Sequence, residues 1–256
     1  MKSILAAMLL VVLSGAAQAA VKLDPVDYKD GTTTLKGQIA YDDAVKDKRP
    51  GVIVVHEWWG LNDYAKKRAQ MLAQAGYVAL AVDMFGDGKS TDHPDEAGKW
   101  ASEVASNAKT STDRFMAGYN LLKADKRVDA AHISAIGYCF GGGVVLRAAM
   151  AGTPLDAVVS FHGALPTDAA TGKVTARMLV CHGAADGLIT PEQVAGFQKA
   201  ANDAGADWEF IAFAGAKHSF TNPDADSHGI PALSYNEKAD KRSWQAMLDF
   251  LAESKK

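Results

Sequence analysis

The chain has 256 residues, 48% hydrophobic and 22% charged, with 30 acidic side chains against 27 basic ones and a net charge of −3. That length suffices for one large domain with a substantial core. The balanced charge, with no basic patch, excludes nucleic acid as a natural partner, and no low-complexity tract or internal repeat occurs.

The N-terminus reads as a processing segment. Met1-Lys2 is a short positive start, residues 4–13 are apolar, and Ala17-Gln18-Ala19 is an A-x-A cleavage site. This is the pattern of a secretory signal peptide over residues 1–19. The apolar run is too short to span a bilayer comfortably. Residues 20–256 are therefore expected to form a single exported, periplasmic domain with no membrane attachment after cleavage. Its oligomeric state is open, with a monomer favoured.

Residues 26–41 alternate in the β manner, with Asp30-Gly31 as the hairpin turn. Residues 51–55 are a continuous apolar run, the kind a parallel sheet buries on both faces. Leu61, Ala65, Ala69, Leu72 and Ala73 recur at helical spacing, and Gly76 stops the helix. A strand follows over 77–82, then a polar, Gly-rich loop over 85–94. Two helices are predicted to cover 95–124. Further strands are predicted over 132–138, 157–161, 177–181 and 208–213. A helix follows the third of these at 191–203, with Pro191 in its first turn. The last helix is predicted at about 236–252. Alternating strands and helices imply right-handed crossovers and a mostly parallel sheet flanked by helices, the α/β class. Ligands then bind at the carboxyl ends of the strands, where Glu57, Cys139, Asp186 and His218 fall.

Gly137-Tyr138-Cys139-Phe140-Gly141-Gly142 lies between a predicted strand and a predicted helix over 143–150. Small residues on both sides of a nucleophile at such a junction form a nucleophile elbow. A cysteine there needs a base, and the base an orienting acid. In the α/β-hydrolase fold they follow in the order nucleophile, acid, histidine. Asp186, past the strand of 177–181, and His218, past the strand of 208–213, satisfy that order. The predicted triad is Cys139, Asp186 and His218. The oxyanion hole of this fold takes the amide after the nucleophile and one from the loop after an early strand, here the N–H groups of Phe140 and Trp58. Cys181, the other cysteine, sits in an apolar run and reads as a small buried hydrophobe rather than a disulfide partner.

The elbow G-Y-C-F-G-G, the H-E-W-W-G loop at 56–60, the H-G-x-x-D loop at 182–186 and the G-x-x-H-S-F loop at 215–220 resemble the dienelactone hydrolases (carboxymethylenebutenolidases) over about 25–253. The resemblance implies an α/β-hydrolase fold, a Cys-His-Asp triad, and hydrolysis of a small-molecule ester or lactone through a thioester. It also implies that Glu57 contacts the resting thiol, keeps it neutral, and moves when substrate binds. In an exported protein that contact would shield Cys139 from oxidation. The family holds its substrate's carboxylate with two arginines, and their positions here are occupied by Asp87 and Asn222. Lys89 lacks the planar fork that would replace an arginine. An uncharged substrate is therefore expected, in a pocket lined by Trp58, Trp59, Phe85, Phe140 and Phe161. His56, His162 and His182 each end a strand, but no metal-ligand spacing occurs. They are expected to satisfy backbone groups at the rim, with no metal or cofactor. A non-catalytic binding protein on the same fold and a cysteine peptidase or acyltransferase are the alternatives.

Overall fold

The computed structural model describes residues 21–253, so the signal segment predicted at 1–19 lies outside the described residues. Eight strands form one sheet in the order β1-β2-β4-β3-β5-β6-β7-β8. Strands β1 (Val21–Asp30) and β2 (Thr33–Asp42) pair antiparallel, and β2 adds antiparallel to β4 (Val78–Val82). From β4 across β3 (Arg49–Val55), β5 (Val128–Tyr138), β6 (Ala157–Phe161), β7 (Arg177–Gly183) and β8 (Trp208–Phe213) every pair is parallel.

The central strands read as unbroken apolar runs because helices cover both faces of the sheet. Helices α1 (Asp63–Gln74) and α6 (Glu237–Glu253) bury Leu72, Met247 and Phe250 against one face. Helices α2 (Pro94–Ala105), α3 (Ala108–Ala124), α4 (Phe140–Met150) and α5 (Pro191–Asp203) bury Phe115, Val145 and Phe197 against the other. The chain leaves β3 for β4 on one side and then crosses to β5 on the other. The loops after β3 and β5 therefore diverge beside each other at the carboxyl edge, where a crevice opens in such sheets.

Several boundaries differ from expectation. The first hairpin extends outward to Val21 and Asp42, an exposed edge with little hydrophobic signal. Strand β5 begins at Val128, four residues early, because Arg49 and Pro50 pair with Val128 and Asp129 before the register shifts. Asn107 divides the 95–124 region by accepting a hydrogen bond from the Thr110 N–H, an N-cap that starts α3. Helix α4 starts directly after Cys139. A short 3-10 turn, Ala225–His228, falls where the sequence predicts no element. Among the described residues no helix is long and apolar enough to cross a membrane.

Candidate active site

The elbow is built by exclusion of side chains. Cys139 sits at φ 52° and ψ −115°, a conformation L residues rarely adopt. It is reached because the chain reverses from β5 into α4 within one residue. A Cβ on Gly137 would lie 2.1 Å from the Gly141 carbonyl oxygen, and one on Gly141 would lie 2.4 Å from that of Val55. Both positions admit only glycine. The Cys139 N–H donates to the Phe161 carbonyl at 3.0 Å, and its carbonyl accepts from Gly142 at 3.0 Å, so the backbone is pinned on both sides.

Cys139, Asp186 and His218 converge from three loops. His218 Nδ1 donates to Asp186 Oδ2 at 2.8 Å, with both side chains 5% exposed or less. The other Asp186 oxygen accepts the Leu188 N–H at 2.9 Å. Burial pushes the Asp186 carboxyl up, but the hydrogen bond and charge of His218, with the Leu188 N–H, outweigh it and hold the carboxyl below its ordinary value. On His218 burial acts downward. The charge of Cys139, the Asp186 hydrogen bond and the Cys139 hydrogen bond overcome it and push the imidazole up to about 10. Cys139 is half-buried and hydrogen-bonded to His218. Cys181 is likewise a free thiol, wholly buried in β7, and burial pushes it far up. Of the two thiols only Cys139 has a base.

The Phe140 amide opens α4 and the Trp58 amide lies in the turn after β3. Neither donates to another group among the described residues. The first N–H groups of a helix have no intrahelical acceptor and carry the positive end of its dipole. His56 fixes the Trp58 loop: its Nε2 accepts the Met84 N–H at 3.2 Å, which places the proton on Nδ1 for donation to the Glu57 carbonyl at 2.6 Å. Satisfying backbone at the rim is the role expected of it. The loop after β4 is fixed in turn by the fully buried Asp83, which accepts N–H groups from Lys36, Phe85, Gly86 and Gly88.

Glu57 is buried, and the structure joins it to the His218 loop. Ser219 Oγ donates to Oε1 at 2.9 Å and Asn222 Nδ2 donates to Oε2 at 2.6 Å. Both oxygens are thus engaged by the His218 loop, and the hydrogen-bonded partner of Cys139 is His218. Burial raises the Glu57 carboxyl, against the Ser219 and Asn222 hydrogen bonds and the charges of His218 and Arg68.

Three aromatic residues expected in the pocket are corrected. Phe161 is 1% exposed and stacks on Tyr138 at 4.8 Å within the core, because it ends β6 on the face covered by α1 and α6. Trp59, also 1% exposed, stacks on His228 at 4.0 Å. Phe85 packs edge-on against His56 at 4.7 Å and beside Phe140 at 5.4 Å, in the opposite core. Trp58 alone of these tryptophans is half-exposed. Asp87 is exposed in a left-handed turn, Lys89 is exposed two residues on, and Asn222 faces Glu57. Neither expected arginine position carries a cation.

Sequence reasoning missed the support behind the site. Arg68, 4% exposed, donates from Nη2 to the Thr221 carbonyl at 2.5 Å and to Asp240 Oδ1 at 2.6 Å, tying α1, the His218 loop and α6 together. Thr221 Oγ1 pairs with Tyr64 Oη at 2.6 Å and with His162 Nε2 at 2.7 Å. Burial holds the His162 imidazole well below its ordinary value, so it is neutral where its ring meets His218 edge-on at 5.3 Å. The only signal was helical spacing that placed Arg68 beside an apolar stripe, which a surface arginine would also show. Among the described residues no cluster of three or more His, Cys, Asp or Glu could hold a metal ion.

The family model for the dienelactone hydrolase family matches residues 35–255, spanning the elbow and both partner loops. The chain belongs to this family. As a dienelactone hydrolase relative it is a hydrolase of the class acting on esters and lactones. It is 31% identical over 206 residues to Protein usf of Aquifex pyrophilus, covering 77% of this chain and 86% of that one. Among solved structures it resembles the dienelactone hydrolase-like promiscuous phosphotriesterase P91 from metagenomic libraries. That match has 38% identity and a TM-score of 0.88, over 91% of this chain and 98% of that one. The dienelactone hydrolase of Anabaena variabilis, at 19% identity, shares the fold with a TM-score of 0.61, over 89% of this chain and 97% of that one.

Proposed function

We propose that this enzyme hydrolyses uncharged carboxylic esters and lactones, with Cys139 as the nucleophile. The observation that carries the reading is the elbow thiol hydrogen-bonded to a His218 whose far nitrogen is held by Asp186 at 2.8 Å. The Cys139 thiolate attacks the carbonyl carbon, and the Trp58 and Phe140 amides receive the developing oxyanion. Collapse breaks the bond to the leaving oxygen, which takes the proton held on His218 Nε2. A thioester on Cys139 remains. Water attacks it with His218 as base, releasing the acid and regenerating the thiol–imidazole pair.

An uncharged substrate is supported by the absence of a cation at positions 87 and 222. An apolar groove of about 420 Å³ begins at Phe140 and runs along α4 past Val144 and Ala148, walled by Phe115 and Ala164. It suits the apolar part of such an ester. Turnover of a neutral aryl ester by the wild type, Cys139→Ala and His218→Ala tests the reading, with rapid acid quench and mass spectrometry to trap the acylated Cys139. Activity retained in Cys139→Ala, or no acyl group on Cys139, would sink it. An uncharged phosphotriester belongs in the same panel, because P91, 38% identical to this chain, is a promiscuous phosphotriesterase. Export to the periplasm is proposed on the N-terminal pattern alone and is tested by fractionating cells that express the full chain.

A further inference from the structure

We infer that the groove along α4 is an acyl site, which selects esters of linear, uncharged aliphatic acids and reads their chain length. The inference rests on Cys139 being the nucleophile and deepens that reading by naming the acid half of the substrate.

The direction of the acyl group follows from the four substituents on the tetrahedral carbon. One is the Cys139 sulfur. The oxyanion faces the Phe140 and Trp58 amides, and the leaving oxygen faces His218, which protonates it. The His218 loop belongs to the side of the sheet covered by α1 and α6. Phe220 packs in that core, and Thr221 bonds Tyr64 of α1 at 2.6 Å. The acyl chain takes the remaining direction, away from His218 and towards the side that carries α2, α3 and α4. The groove lies on that side. Phe140 joins the two sites, since its amide is the oxyanion donor and its side chain forms the near end of the groove.

The groove exists because α4 carries small residues on the stripe turned away from the sheet. Val145 and Ala149 pack into the core, while Phe140, Gly143, Val144, Ala148 and Ala151 recur at helical spacing along the groove. Gly143 brings the segment after β6 close to the helix, since a Cβ there would lie 3.1 Å from the Ala164 carbonyl oxygen. From 140 to 151 the stripe advances about 16 Å. A volume of about 420 Å³ spread along that length is an elongated shape, suited to an extended chain. The charged side chains that line it are Arg147 and Asp168, and they bond each other at 3.0 Å. Their charges cancel, so the groove offers nothing to an ionic chain end. The wall at 164–171 belongs to the irregular stretch between β6 and β7, the kind of segment on which binding residues concentrate. The acyl group stays in the groove as the thioester while the alcohol departs. Selection therefore acts on the acid half of the ester and not on the alcohol half.

The test is kcat/KM for two ester series, each kept below its aggregation concentration. In the first the leaving group is p-nitrophenol and the acid lengthens from acetate through butyrate, hexanoate, octanoate and decanoate to dodecanoate. In the second the acid is acetate and the straight-chain alcohol lengthens. The acyl series should rise about twofold per methylene, which corresponds to half the free energy of full burial. It should level off near the dodecanoate, whose extended chain matches the roughly 16 Å stripe. The alcohol series should stay nearly flat. Ala148→Trp, part-way along the groove, should lower the ratio of long-chain to acetate turnover from about the octanoate onwards. Ala151→Trp, at the exposed far end, should lower it only for the longest chains. The ratio cancels any general loss of activity, and the exposed position keeps the test open should Ala148→Trp not fold. A flat acyl series overturns the acyl site. So does a rise confined to the alcohol series, or chain-length limits that do not follow the order of the two positions along α4. An acetyl group trapped on Cys139 beside a flat acyl series removes the site and leaves the nucleophile standing. If Cys139→Ala still turns over the acetate, the nucleophile reading fails and the acyl site falls with it.

Discussion

Replacing Asp186 by Asn tests whether the carboxylate organises the base or merely packs beneath it. Asp186 serves two donors at once, the His218 Nδ1–H at 2.8 Å and the Leu188 N–H at 2.9 Å. Asn has the same shape but a single acceptor. Whichever donor it keeps, the other meets an NH2 group in a site where both side chains are 5% exposed or less. Leaving one buried donor unsatisfied costs about 1–3 kcal/mol, and a hydrogen bond to a charged group contributes about 1.5–3 kcal/mol. The two overlap, so about 2–4 kcal/mol of imidazolium stabilisation is lost. At about 1.4 kcal/mol per decade this is a fall of roughly 30- to 700-fold in kcat/KM for a neutral aryl ester at pH 7. A stopped-flow assay of acylation, run beside a thermal melt to show that the fold survives, measures it. Cys139 alkylation should recover as pH rises, because the thiol then ionises without help from His218. A loss below threefold at neutral pH would refute the reasoning, and so would an alkylation profile identical to wild type.

Arg68→Met should destabilise the fold by about 3–5 kcal/mol in chemical denaturation, because Asp240 is left as a buried unpaired charge and the Thr221 carbonyl loses its donor. A loss under 1 kcal/mol would mean that the pair is not sealed from water. Gly141→Ala should cost at least about 3 kcal/mol or abolish folding, since its Cβ would overlap the Val55 carbonyl oxygen at 2.4 Å. Urea titration of soluble protein decides it, and wild-type stability would contradict the elbow geometry. The His218 value is raised from 6.5 to about 10, so its contribution to stability is fully present below 6.5 and is lost as pH rises through about 10. That of Asp186 is lowered, so its contribution is present above 3.8 and is lost as pH falls through the depressed value. Thermal melts across pH should show both edges in wild type, the acid edge being blunted in Asp186→Asn. Ala148→Trp, which fills the groove beside α4, should raise KM for bulky aryl esters several-fold while sparing the acetyl ester of a small alcohol. Equal effects on both would remove the groove from the substrate site.

The residues that make local geometry were legible in the sequence. Gly137 and Cys139 specify an elbow because the turn is so tight that a side chain at 137 would meet the Gly141 carbonyl within five residues, whereas Gly141 answers to the distant Val55 carbonyl. The strands β3, β4, β6 and β7 were legible because burial on both faces leaves an unbroken apolar run. Asp186 and His218 were legible from order and loop type, since parallel strands deliver successive loops to one edge of the sheet.

What lay beyond the sequence depends on contacts between distant segments. Ser219 and Asn222 meet Glu57 across 162 and 165 residues, and Arg68 meets Asp240 across 172. No periodicity records such pairs. The family resemblance tied Glu57 to the thiol, and only the folded chain shows the uncharged donors Ser219 and Asn222 of the His218 loop on its two oxygens. Composition likewise could not tell an aromatic residue at a strand end that faces a ligand from one that faces the core. Phe161 went to the core because its ring has no polar group to hold it at a rim, and the larger burial wins. The sequence by itself determined the elbow, the order of the loops that carry Asp186 and His218, and the sheet that presents them. Tertiary structure alone decided which way Glu57 points, since a buried carboxylate goes where donors satisfy it and only the fold brings those donors within reach.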